Sequence, residues 1–152
     1  KRSLIQFDLN ELPKSARIES VQLVLHFEVP IWDSLYEADL DEYMLWDDRL
    51  VFQQIVEPWE EHEVTWSNQP GSIEANQVFL PVYDHLSTNM RVYDVTCLFV
   101  PCQEIAAPNH GIMFRQPESD NPMPGGLRFA SSDYSIESMR PRLIVKYSLY
   151  SR

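Results

Sequence analysis

The chain has 152 residues and a hydrophobic fraction of 44%, enough to bury one ordinary core and too apolar for a disordered segment. A formal net charge of -11 excludes nucleic acid as a general partner, because phosphate binding needs clustered Lys and Arg. No apolar run reaches the roughly 18 residues of a membrane-spanning helix, so no direct membrane insertion is expected, and four Gly against 11 Pro favour short elements over long helices.

The charge is uneven along the chain. Residues 1–86 hold 17 acids and 5 bases, whereas residues 87–152 hold 6 acids and 7 bases. The second half can therefore carry a local anion site among Arg91, Arg115, Arg128, Arg140 and Arg142.

Alternation begins at once. Ile5, Phe7 and Leu9 share one face of Leu4–Leu9, with Gln6 and Asp8 on the other, until Leu12-Pro13 breaks the run. The pattern from Ile18 to Val29 is stronger, with Val21, Leu23, Leu25, Phe27 and Val29 in step, and Pro30 ends it. Residues 30–48 lose the rhythm and read as a long acidic loop, in which Trp32, Tyr36, Tyr43 and Trp46 are interleaved with seven acids and no Lys or Arg. Strand character returns over Arg49–Glu57 and again at Gln77–Leu80, Met90–Val95, Gly111–Arg115, Leu127–Ser131 and Arg142–Leu149. One segment near Thr96–Ala106 reads as a short helix with Thr96 as its N-cap. The elements predict a single all-β domain over residues 1–152, a jelly-roll-like antiparallel β-sandwich of about eight strands with one short helix.

Segments in a fixed order resemble the DNRLRE domain, also described as family 96 carbohydrate-binding modules and related to disaggregatase repeats. They are RSLIQFDL at Arg2–Leu9 with Leu12-Pro13, IESVQLVL at Ile18–Leu25, EPWEEHEVTWSNQP at Glu57–Pro70, and DVT at Asp94–Thr96. NHGIMFR at Asn109–Arg115, FASSD at Phe129–Asp133 and RPRLIVKY at Arg140–Tyr147 complete the order, which covers nearly the whole chain. The resemblance implies a jelly roll on secreted or cell-surface bacterial and archaeal proteins, with carbohydrate binding in some members. Members usually carry one or two strands ahead of the first of these segments, so the resemblance also implies that this domain lacks one or two N-terminal strands. The Trp that usually follows D-V-T is replaced here by Cys, Pro and Gln within Cys97–Ala106.

Candidate chemistry is that of binding. Trp32, Tyr36, Tyr43 and Trp46 sit among acids that accept hydrogen bonds from sugar hydroxyls, and Arg115 can orient hydroxyls or a carboxylate. The same aromatics also suit a buried satellite cluster or a protein interface. Trp59 and Trp66 are read as pins that hold the 57–70 segment on the sandwich. Arg115, Arg140 and Arg142 are expected to pair with the protein's own acids, Asp8 or Asp133 among them. The acidic loop fits structural calcium only loosely, since Asp39, Asp41 and Glu42 miss the EF-hand spacing and its central Gly is absent; no cofactor or metal is expected. Cys97 and Cys102 read as two small buried apolar residues, because a bridge across five positions needs a looped backbone. No nucleophile elbow, H-E-x-x-H motif or phosphate loop occurs, so no catalytic residue is expected. Two functions follow as expectations: a non-catalytic module binding polysaccharide outside the cell, or an assembly module completed by a β-strand from a neighbouring chain.

Overall fold

The computed structural model describes residues 2–27, 49–81, 89–100, 108–118 and 128–149. Their strands are β1 (Arg2–Ile5), β2 (Ala16–His26), β3 (Arg49–Ile55), β4 (Ser72–Pro81), β5 (Met90–Asp94), β6 (Ile112–Arg115) and β7 (Arg142–Leu149). A single helical turn, α1 (Thr96–Phe99), follows β5. A 3₁₀ turn over Glu137–Met139 precedes β7.

The period-two pattern of β2 sets the architecture. Its in-step residues Val21, Leu23 and Leu25 are fully buried and face Leu50 and Phe52 of β3 and Ile112 and Phe114 of β6 across the core. Two antiparallel sheets result, one ordered β1-β6-β3-β4 and the other β5-β2-β7. The chain is an all-β sandwich. Its pairings are nested: β3 with β4, β2 with β5, β1 with β6. Such a nested ribbon, wrapped so that successive pairs fall in alternate sheets, is the winding of a jelly roll.

Aromatic rings join the layers. Phe52 lies 5.1 Å from Tyr93 and 4.9 Å from Phe114, centroid to centroid, and Phe129 lies 5.3 Å from Phe114 and 6.1 Å from Phe27. These edge-on and tilted contacts add to the apolar area that each ring buries.

Several elements differ from the sequence expectation, each for a local reason. β1 stops at Ile5, and Phe7 packs on the core from outside a strand. β4 begins at Ser72 rather than Gln77, because a register irregularity opposite Phe52–Gln54, with Asn76 at φ 71°, breaks the alternation that marks a strand. Of Leu127–Ser131, the described residues supply only the isolated bridge Phe27–Phe129. Thr96 is not the N-cap; Val95 holds that position and makes no side-chain cap bond. The Thr96 hydroxyl is used elsewhere, donating to Asp94 Oδ1 at 2.6 Å and accepting from the Val21 N–H at 2.9 Å. The Thr96 N–H also donates to Asp94 Oδ1, at 2.9 Å, so D-V-T is a side-chain-closed turn that ties β5 to β2. Cys97 is disulfide-bonded rather than free, and Cys102 is the other cysteine of the sequence.

Candidate functional site

Alternation on β3 divides its side chains between two faces. Leu50 and Phe52 enter the core, so Val51 and Gln53 face outward, and the register carries this face to Met113 and Arg115 of β6 and on to Arg2 of β1. Gln53 is nearly fully buried even though it looks away from the core. A buried carboxamide needs partners, and Gln53 has them. Its Nε2 donates to Gln77 Oε1 at 2.9 Å, and its Oε1 accepts from the Ser72 hydroxyl at 2.9 Å and from Arg115 Nε at 3.5 Å. Arg115 Nη2 also lies 3.8 Å from Glu74 Oε1. The acid beside Arg115 is therefore Glu74 on β4.

Arg2 stands next to Arg115 as its register partner on this face. Its Nη1 donates to Gln69 Oε1 at 2.9 Å, and its guanidinium lies 5.3 Å from the Trp66 ring centroid. Both groups belong to the 57–71 loop, which is closed at its base. The Val56 N–H donates to the Gly71 carbonyl at 3.0 Å, and the Gly71 N–H donates to Glu57 Oε2 at 2.7 Å. Within the loop Asn68 does the fastening. Its Oδ1 accepts from the Thr65 N–H and, at 2.7 Å, from the Thr65 hydroxyl, while its Nδ2 donates to the Glu63 carbonyl at 2.9 Å.

The two tryptophans of this loop part company. Trp59 is half-buried and donates its indole N–H to the His110 carbonyl at 2.8 Å, which pins the loop as expected. Trp66 is 70% exposed. It is not a pin, because Thr65 and Asn68 already hold the loop on either side of it. Burial of an indole is the rule for packing residues, and a rigidly seated exposed one is the informative exception.

The arrangement can act on a flat polar ligand. The Arg2 and Arg115 guanidinium groups and the Glu74 carboxylate can offer planar, charged hydrogen bonding, while Gln53 is engaged by Gln77, Ser72 and Arg115. Asn76, between Glu74 and Gln77 on β4, adds a buried amide whose Nδ2 and Oδ1 have no hydrogen-bond partner among the described residues. Leaving such an amide unanswered costs about 1–3 kcal/mol. Among the described residues no three His, Cys, Asp or Glu side chains converge as a metal site would require. The carboxyl of Asp94 is held below its ordinary range by its side-chain and backbone bonds from Thr96, and that serves the turn.

Comparison with known proteins adds no identity. No protein-family model matches the chain, and no curated protein matches it.

Of the residues expected to bind, Trp32, Tyr36, Tyr43 and Trp46, with the acidic loop 30–48, lie outside the described residues. Arg115 lies on the outer face just described, at the end of β6. Its neighbours Arg2, Gln53 and Glu74, with Gln77 bonded to Gln53 and Trp66 beside Arg2, were not expected there. One signal did exist for Trp66: Thr65, Ser67 and Asn68 surround it with hydroxyl and amide residues, so the alternation that Val64 could begin does not continue past it.

Proposed function

We propose that this domain is a non-catalytic carbohydrate-binding module of a secreted or cell-surface protein, with the outer face of the β1-β6-β3-β4 sheet as its polysaccharide-binding surface. Trp66 is the stacking plate for a pyranose ring. Arg2, Arg115 and Glu74 orient hydroxyls or a carboxylate, and Gln53 and Gln77 fix Arg115 and the floor. The observation that carries this reading is the exposure of Trp66 on a fastened loop directly beside the Arg2 guanidinium, whose register partner is Arg115. The resemblance of EPWEEHEVTWSNQP to a segment of family 96 carbohydrate-binding modules supports it, and so does the disulfide at Cys97, since such bonds persist in oxidising compartments.

Affinity electrophoresis against a panel of neutral and acidic polysaccharides tests the proposal. At least one polysaccharide should retard the protein, and Trp66→Ala should abolish the retardation while thermal stability stays within about 0.5 kcal/mol, as for an exposed site. Arg115→Ala should weaken it without abolishing it. Retardation that survives Trp66→Ala and is lost in Trp46→Ala would move the binding surface to the acidic loop.

A further inference from the structure

The register of the β1-β6-β3-β4 sheet lays out one row of side chains across its outer face. Arg2 lies opposite Arg115, Arg115 opposite Val51, and Val51 opposite Phe79. Phe79 faces outward because its neighbour Val78, opposite Phe52, packs on the core, and successive side chains of a strand point to opposite faces. The row thus begins on β1, crosses β6 and β3, and ends on β4.

Exposure along this row is concentrated at its two ends. Phe79 is 46% exposed at one end, and Trp66, which the Arg2 guanidinium approaches to 5.3 Å, is 70% exposed at the other. Between them Val51 is fully buried and the Arg115 side chain is only 18% exposed. Two aromatic surfaces therefore stand in solvent with a low, hydrogen-bonded stretch of sheet between them.

The spacing of strands sets the distance between these surfaces. Neighbouring strands lie about 4.8 Å apart, so the three spacings from β1 to β4 separate the ends of the row by roughly 14 Å. A single pyranose ring can lie on Trp66 or on Phe79 and not on both. A disaccharide is too short to cover the two, whereas a longer chain laid across the strands reaches them together.

The charges along the span are already answered within the protein. Arg115 bonds to Gln53 and to the Gln116 carbonyl and lies 3.8 Å from Glu74, and Arg2 is engaged by Gln69 and by the Trp66 ring. A guanidinium has five N–H donors, so both arginines keep donors for hydroxyl groups without needing an anionic partner. Shape narrows the choice further. Pyranoses joined by β-1,4 equatorial bonds run as straight, flat ribbons, while α-1,4-linked glucose coils and turns successive ring faces away from a common line.

We propose, building on the sugar-binding reading of this face, that its ligand is the interior of a neutral β-1,4-linked chain lying across the four strands, with Phe79 as a second stacking plate opposite Trp66. Arg115 and Glu74 meet the hydroxyls of the rings between the plates. Binding then strengthens with chain length until both plates are covered, and no chain end is required.

Isothermal titration calorimetry with the disaccharides and hexasaccharides of cellulose, β-mannan and chitin is the test. At least one hexasaccharide should bind about tenfold or more tightly than its own disaccharide. Phe79→Ala should bring that hexasaccharide down to the affinity of the disaccharide, and Phe79→Tyr, which keeps the ring, should restore it, with thermal melting verifying that each variant folds. A disaccharide that binds as tightly as its hexasaccharide overturns the proposal, as does full hexasaccharide affinity in Phe79→Ala. Failure of all three hexasaccharides while a polysaccharide of the electrophoresis panel retards the protein also overturns it, and leaves the sugar-binding reading standing with a different ligand. A protein that no polysaccharide retards loses both.

Discussion

Around Arg115 the polar side chains answer one another, and what stands in solvent is an indole. Along β7 the side chains that turn toward the core are apolar and half-covered, and Tyr147 and Leu149 stand partly in solvent. In the proposed function the first region recognises by side chains held in place, so that a ligand would meet donors and acceptors already set. The second is held by backbone pairing with β2, so that sequence matters there chiefly through alternation. The contrast teaches that exposed features of one sandwich can come from opposite packing outcomes: an aromatic with no packing duty, and apolar side chains at a sheet edge left half-covered.

Both regions rest on the same aromatic centre, and the largest effect should come from removing it. Phe52→Ala deletes the ring between Tyr93 and Phe114 and should cost about 3–5 kcal/mol in a denaturant titration, weakening sugar retention and speeding amide exchange along β7 together. A variant that changed only one of them would show that the two regions fold as separate units. Asn68→Ala separates them. Loss of its bonds to Thr65 and Glu63 should cost about 1 kcal/mol and weaken retention, while amide exchange by local opening along β7 is unchanged.

The smallest effect is electrostatic. Asp94 is held below its ordinary range by bonds from Thr96, so its ionised form favours the folded state. That stabilisation is fully present above the unfolded carboxyl's range and is lost as pH falls through the lower, folded value. Stability should therefore decline on acidification below the ordinary carboxylate range, and Asp94→Asn should flatten that part of the pH profile of thermal melting.

The fold was largely readable because β2 and β7 obey period-two alternation, and a half-buried strand can hardly do otherwise. β4 was half hidden, since the irregularity at Asn76 puts its residues out of step with the pattern that defines a strand. The site was much less readable. Arg115 drew notice as one cation in a neutral half, but nothing local places Arg2 beside it, because that neighbourhood comes from a pairing across most of the chain. Trp66 was misjudged because the residues around it, Thr65 and Asn68, hold the loop by hydrogen bonds and leave the ring without a packing duty.

The nesting of the pairs also bears on when the outer face around Arg115 comes into being. β3–β4 closes the shortest loop of the series and β1–β6 the longest, and loop closure grows costlier with length, though slowly. Gln53 and Gln77 lie on the innermost pair, Arg2 and Arg115 on the outermost. The face therefore joins the part of the domain that can form early to the part that must form late. A ligand gripping both would act as a clasp across the ribbon, holding the four-residue β1 against local opening.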